Sequence, residues 1–285
     1  MTVTDTTLTG TAPPGEGPKP AGDLKAGEGP APAGGAAPAA EQTAVLVDGL
    51  VKRFGRGPRV LDGVSLRVPV GEFACLLGAS GCGKSTLLSV LAGLERPTAG
   101  SVLVNGGRAG LIFQEPALLP WLTAARNIEL ALRLAGVPRA RRRAEALRLL
   151  ELVRLEAAAN KRPHELSGGM RQRVALARAL AQQPRVLLMD EPFAALDAIT
   201  RDLLHDELTR IWGETGLTVV FVTHNVREAV RLGQRVLLMS SRPGRIVEEY
   251  PVRIDGDRRI ESPQVAELSV QITERLRAEI RRHAA

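Results

Sequence analysis

The sequence predicts an α/β fold built on a mainly parallel sheet, and three observations carry that prediction. Short, nearly wholly apolar runs recur at Phe73-Ala74-Cys75-Leu76-Leu77, Val186–Met189 and Thr218–Val222. Runs of that length without a polar face belong to strands covered on both sides. Segments of helical periodicity alternate with them, as parallel crossovers require. Finally, Gly78-Ala79-Ser80-Gly81-Cys82-Gly83-Lys84-Ser85, followed by Thr86, lies directly between the first apolar run and a helical segment. That is the context a phosphate-binding loop needs.

The elements follow in chain order. Residues 1–43 are rich in Pro, Gly and Ala and contain no aromatic side chain. They cannot bury enough apolar surface to offset chain entropy, so a disordered tail is expected. Met1–Gly10 is neither basic nor apolar, and no secretory signal is expected there. Order should begin at Ala44-Val45-Leu46-Val47 and continue to residue 285 as one domain. Leu61–Val68 alternates apolar and polar residues and reads as a second strand. Lys84–Gly93 reads as a helix, and Ser101–Val104 and Gly110–Phe113 as strands. Residues 123–159 read as helical, with a break around Gly136-Val137-Pro138, and Met170–Gln183 as a further helix. A helical subdomain of about residues 115–183 thus interrupts the sheet. A helix over Thr200–Gly213, a helix from Val226 and a strand over Arg235–Met239 complete the alternation. From Pro263, Val265, Leu268, Ile272, Leu276 and Ile280 fall on one helical face. They predict a terminal helix over about 263–282 packed on the core.

Composition narrows the function classes. The chain has 285 residues and 44% hydrophobic content, enough for a sizeable core. No run approaches the roughly 18–20 apolar residues that span a bilayer. Two cysteines, Cys75 and Cys82, flank a strand-to-loop junction, which points to a reduced compartment rather than a disulfide framework. The net charge of +7 fits basic residues on solvated helices. Arg139-Ala140-Arg141-Arg142-Arg143 is the best nucleic-acid candidate. It has no interleaved aromatics, so nucleic acid is not an expected partner.

The motifs point to a nucleotide. Glycines let the Gly78–Gly83 backbone curl so that successive N–H groups face phosphates. Lys84 places a point charge near the β- and γ-phosphates, and Ser85 offers a hydroxyl to Mg²⁺. The run ending at Met189 delivers Asp190 and Glu191 to a strand's carboxyl end, where open α/β sheets bind ligands. Asp190 suits a metal shell, and Glu191 suits the base that orients the attacking water. Gln114 ends Leu111-Ile112-Phe113 and offers a neutral amide to Mg²⁺ or water. His224 closes Val219–Thr223 at the same edge and is placed to hydrogen-bond a γ-phosphate. His164, His205 and His283 lack such placement and read as structural. Phe54, the first aromatic, either stacks on adenine or belongs to the core. Leu166-Ser167-Gly168-Gly169-Met170 is a second anion loop at a helix start. The chain already has a phosphate loop of its own. This second one therefore calls for a second nucleotide, most simply held by another copy.

Taken in order, Gly78–Thr86, Gln114, Leu166–Gly169, Asp190-Glu191, Ala195-Leu196-Asp197 and His224 resemble the ATPase subunit of ABC transporters. The resemblance covers roughly residues 44–285. It implies a P-loop NTPase (RecA-like) core with an antiparallel β subdomain and the helical insertion, and ATP with Mg²⁺ as cofactors. It also implies roles for residues. Phe54 would stack on adenine, Gln114 would sense a membrane partner, and Asp197 would couple two sites. Ser167, Gly168 and Gly169 would contact the γ-phosphate of ATP held by the opposite subunit of a head-to-tail homodimer. His224 would act as the switch. Met170 and Ala194 depart from the commonest pattern, where Gln and a Ser or Gly stand.

A finer resemblance links Phe113–Thr123, Leu166–Val174 and Ser241-Arg242-Pro243-Gly244-Arg245-Ile246 to the nitrate/sulfonate/taurine importer ATPases. The short link between the 101–104 strand and Gln114 looks most like the aliphatic sulfonate branch. The implied function is to power import of a small anionic solute at the cytoplasmic face of the cell membrane. Integral permease subunits would be direct partners and a solute-binding protein an indirect one. Aliphatic sulfonate is the first expectation, with nitrate, taurine or another small nutrient as alternatives. The exposed Leu118-Leu119-Pro120-Trp121 cluster would meet the permease, unless it packs locally. The carbohydrate-type ATPases, which carry a C-terminal regulatory module, are not the expected branch, because these 285 residues hold no such further domain. A soluble ABC ATPase acting on nucleic acid or cluster assembly is the reading from another class. Cys82, inside the phosphate loop, is expected to be shielded from thiol reagents by nucleotide.

Overall fold

The computed structural model describes residues 43–107, 109–254, 258–260 and 262–282. The expected tail therefore lies outside the described residues, apart from Thr43, which is already a buried strand residue paired with Pro69. His283 also lies outside them.

Two sheets form the β framework. β1 (Thr43–Arg53) pairs antiparallel with β2 (Arg59–Pro69) on one side and β4 (Ala99–Val104) on the other. The larger sheet holds β5 (Gly110–Ile112), β6 (Val186–Asp190), β7 (Thr218–Thr223), β3 (Phe73–Leu77), β8 (Arg235–Met239) and β9 (Ile246–Pro251), in that spatial order. Its first five strands are parallel, and β9 closes the edge antiparallel to β8. The period of two in side-chain direction explains the apolar runs. Phe73, Cys75, Leu77, Leu187, Met189, Val219 and Phe221 belong to one core. Ala74, Leu76, Val186, Leu188, Val220 and Val222, the residues between, belong to a second core shared with the smaller sheet. Phe221 packs against both Phe73 and Phe193, with ring centroids 5.9 and 5.8 Å apart. Truncating a buried phenylalanine of this kind costs about 3–5 kcal/mol.

Helices fill both faces. α1 (Lys84–Leu91) follows the phosphate loop. Between β5 and β6 the described chain holds only helical elements. These are α2 (Ala124–Leu134), α3 (Arg139–Leu152), two 3₁₀ turns at Glu156–Ala158 and Pro163–Glu165, and α4 (Gly168–Leu180). Gly136, at φ +81°, ends the first of them, and Pro138 precedes the second, as a left-handed terminator and a helix-starting proline should. α5 (Ala198–Thr215), α6 (Val226–Leu232) and α7 (Pro263–Arg282) complete the set. Thr123, Ser167, Asp197 and Asn225 cap α2, α4, α5 and α6 by accepting first-turn N–H groups.

Two expectations need revision here. β9 was not anticipated, because Ile246–Pro251 carries two adjacent glutamates and only Tyr250 is buried. An edge strand with one partner leaves a weak pattern. On α7, Val265 and Ile272 are buried while Leu268 and Leu276 pack from the side, but Ile280 is exposed. Glu279 takes the buried place, hydrogen-bonded by Arg275 and Arg282. The ion cluster, rather than the apolar stripe, thus finishes the helix.

Sheet order is what matters for chemistry. β5, β6, β7 and β3 are consecutive neighbours and parallel. Their carboxyl ends therefore bring Gln114, Asp190 with Glu191, His224 and the phosphate loop to one edge.

Candidate functional site

The phosphate loop is built on backbone that ordinary residues resist. Gly81 and Gly83 have φ of +75° and +106°, and a Cβ at Gly83 would meet Leu61 Cδ2 at 2.8 Å. Gly81 thus requires glycine for its conformation, and Gly83 for conformation and for space. α1 has no side-chain cap and no acid in its first turn. Its leading N–H groups thus remain for an anion. Lys84 is buried, and its Nζ donates to the carbonyl oxygens of Gly78 (2.8 Å) and Ala79 (3.0 Å).

The ends of β5 and β6 complete the wall with Gln114, Asp190 and Glu191, and His224 at the end of β7 stands behind Glu191. Glu191 Oε1 lies 3.6 Å from Lys84 Nζ, and Oε2 lies 2.8 Å from His224 Nδ1. The two carboxylate oxygens are thus held apart by two different partners. Glu191 also has φ +44°, a left-handed conformation that costs an L-residue about 1–2 kcal/mol. It is fixed by its own N–H donating to Val222 O at 3.0 Å. Burial pushes the Asp190 carboxyl above its ordinary value, and a hydrogen bond from the Ser85 hydroxyl opposes that shift. Lys84, Ser85, Asp190 and Glu191 line a cleft of about 630 Å³ together with Ser80, Gly81, Gly83, Thr86, Gln114, Arg59, Val60, Pro58 and Arg242, whereas His224 does not line it and meets the cleft only through its bond to Glu191. A larger concavity of about 840 Å³, lined by Asp202, Asp206, Arg231 and Arg258 among others, holds none of the motif residues.

The donor set fits a small hard cation. Ser85, Asp190 and Gln114 all line the cleft and offer oxygen ligands, and the Ser85 hydroxyl bonds the Asp190 carboxylate. Among the described residues no group of three or more His, Cys, Asp or Glu could hold a metal alone. The Ser85 hydroxyl, the Asp190 carboxylate and the Gln114 amide oxygen suit Mg²⁺, which is usually held by one or two protein oxygens plus substrate phosphates.

A sequence profile described as ABC transporter matches residues 61–194. The taurine import ATP-binding protein of Rhizobium johnstonii is 46% identical over 235 residues, covering 77% of this chain and 90% of the relative. The chain belongs to the ABC transporter ATP-binding family. The nitrate import ATP-binding protein of Synechocystis sp. is 45% identical over 204 residues, covering 69% of the chain and 77% of the relative. Among solved structures, a dimeric post-hydrolysis ATP-binding cassette bound to ADP and Pi superposes with a TM-score of 0.65. It is 35% identical and covers 74% of this chain and 99% of that one. The activity of this ABC ATPase is ATP hydrolysis coupled to transport.

Some predicted site residues stand apart from the cleft. Ser167 is exposed at the α4 N-terminus, where its side chain accepts from Met170 N at 3.3 Å, and neither it nor Gly168 or Gly169 lines the cleft. Gly169 is buried instead, and a Cβ there would meet Thr200 Cγ2 at 2.4 Å. Close approach of α4 to α5 therefore requires that glycine. Phe54 is half-exposed just beyond β1 and is not part of the cleft lining. Lys52 Nζ sits 4.7 Å from its ring centroid, a cation–π contact. His205 is structural, as expected: it is fully buried with Nε2 2.7 Å from Glu228 Oε1.

Cys82 requires a correction. Its backbone belongs to the loop, but its thiol is 1% exposed and belongs to the second core. A Cβ at Gly78 would come within 2.8 Å of Sγ. Burial pushes the thiol up, outweighing the lowering by Lys84, and only the thiolate reacts. Alkylation of Cys82 is therefore expected to be slow with or without ATP. Rapid labelling that ATP blocks, followed by mass spectrometry, would contradict this placement. Conversely, Arg59, Val60 and Arg242 line the cleft although no pattern in the sequence marks them as site residues.

Proposed function

We propose that this ABC ATPase powers uptake of a small sulfonate through an integral membrane permease. It would work as a head-to-tail homodimer on the cytoplasmic face of the membrane. One observation carries the paired arrangement: the Ser167 loop and the Lys84 cleft lie apart in one protomer, though both suit a nucleotide's phosphates. A second copy supplies the missing half of each site. The dimeric state of the solved relative supports the same assembly.

The chemistry follows from the side chains. Lys84 leaves its two carbonyl acceptors to bind the β- and γ-phosphates. Glu191 orients water and takes its proton, while His224 steadies one carboxylate oxygen. Ser85, Asp190 and Gln114 would hold Mg²⁺, which when bound neutralises charge on the phosphate oxygens. Ser167 presents its hydroxyl and the α4 N-terminus to the γ-phosphate of the nucleotide on the partner.

Two kinds of support point to the solute. Two of the relatives are a taurine and a nitrate import ATP-binding protein, and taurine is itself a sulfonate. The Ser241–Ile246 and Phe113–Thr123 segments resemble those of the nitrate/sulfonate/taurine importer ATPases. Coupling is assigned to the loop carrying Trp121, which is 67% exposed. Asn127 fixes this loop, accepting from Leu119 N and donating to the carbonyls of Leu119, Leu122 and Thr123. Trp121→Ala is expected to leave ATP affinity unchanged and to remove permease-dependent stimulation of ATPase. Loss of ATP binding would contradict the assignment. For the solute, the assembled complex with permease and solute-binding protein should hydrolyse ATP faster with an aliphatic sulfonate. Stimulation by nitrate alone would reject the sulfonate reading and keep the transport one.

A further inference from the structure

The turn Ser241-Arg242-Pro243-Gly244-Arg245 enters the reading above only through its resemblance to importer ATPases, with no part in nucleotide chemistry, yet it packs against the phosphate loop. Ser240, buried at the end of β8, donates to Pro243 O (2.8 Å) and accepts from Arg245 N (3.0 Å). Gly244 N donates to Val60 O (2.8 Å), and Gly244 O accepts from Asp62 N (3.0 Å). A Cβ at Gly244 would lie 2.3 Å from the Cys82 carbonyl oxygen and 2.6 Å from Met239 Cε. Arg245 and Arg59 both bind the Asp62 carboxylate and hold it below the usual range. The turn is thus bonded to β2 and packed against the phosphate loop.

Arg242 projects from this anchored turn onto the wall of the cleft. Its Nε donates to Gly81 O at 2.9 Å, and one terminal nitrogen lies 2.9 Å from where a Gly81 Cβ would be. Three cationic side chains line the cleft. Lys84 is turned onto loop carbonyls and Glu191, and Arg59 onto Asp62. Arg242 differs. Among the described residues its terminal nitrogens have no hydrogen-bond partner and no carboxylate pairs with it. A planar guanidinium oriented through Nε, with its outer donors free, suits phosphate oxygens.

We infer that Arg242 is a nucleotide ligand, held in place by the Gly81 carbonyl and donating from its terminal nitrogens to the polyphosphate of ATP. This rests on the reading of the cleft as the ATP site. Arg242 is exposed, so its contribution lies at the lower end for charged hydrogen bonds, roughly tenfold in affinity.

Equilibrium nucleotide binding to the full chain tests this. R242A is expected to bind ATP about tenfold more weakly and adenosine as wild type does, with unchanged melting in the absence of nucleotide. R242K should recover part of the loss, since a point charge remains without the oriented fork. Should R242A melt early, R242Q decides by the same criteria. Lys84→Ala is measured in parallel. If that variant binds ATP normally, the ATP-site reading itself fails. If it binds weakly while R242A and R242Q match wild type, the role of Arg242 is overturned. An equal loss for adenosine and ATP would also overturn it, because the contact would then not be to phosphate.

Discussion

Glu191→Gln is expected to slow ATP hydrolysis by about 10²–10⁴-fold, the range a positioned general base supplies. It should also leave the protein in an ATP-bound pair. The geometry makes the substitution clean. Glutamine keeps the volume and still reaches both Lys84, 3.6 Å away, and His224, 2.8 Å away. It cannot accept the water's proton, and no phosphate contact is lost. ATP affinity is thus retained, or improved by removing a negative charge from the cleft. Phosphate release measures the first effect, and size-exclusion chromatography in ATP with Mg²⁺ measures the second. A variant that hydrolyses within a few-fold of wild type would remove Glu191 from its role. A variant that binds ATP yet stays monomeric would reject the paired arrangement.

The second large effect is complementation between two inactive chains. Lys84→Ala removes the buried ammonium from the cleft, and Ser167→Arg blocks the α4 N-terminus with a bulky cation. Each variant alone is expected to lose nearly all ATPase activity. In a mixture, however, a mixed pair has one site with Lys84 from one chain and Ser167 from the other, both intact. The opposite site carries both lesions. Mixing should therefore restore activity well above either variant alone. If both residues served the same protomer's nucleotide, mixing would restore nothing. Phosphate release from titrated mixtures distinguishes the two outcomes.

What was legible in the sequence depended on whether a residue's task leaves a local pattern. β3, β6 and β7 were readable because strands covered on both faces must be apolar throughout. The acids and the histidine at their ends were readable as breaks in those runs. β9 was not, because an edge strand with one buried residue has no such pattern. Ile280 was assigned to the core by spacing alone, whereas the Arg275–Glu279–Arg282 cluster displaced it. Cys82 shows the same limit inside a motif. The spacing located its backbone, but the direction of its thiol depends on Gly78 and the second core. Arg242 is the converse, a residue far along the chain carried into the cleft by a turn packed on Cys82 and Val60. No local pattern predicts such a contact.

The left-handed backbone at Glu191 has a consequence for protein engineering. A glycine there would shed a steric penalty of about 1–2 kcal/mol, offset in part by its greater freedom in the unfolded chain. A library sorted by heat resistance alone would therefore tolerate, or even enrich, loss of the acid. Any thermostabilisation campaign on this fold needs a turnover assay at every round, because here the stabler backbone and the working enzyme call for different residues.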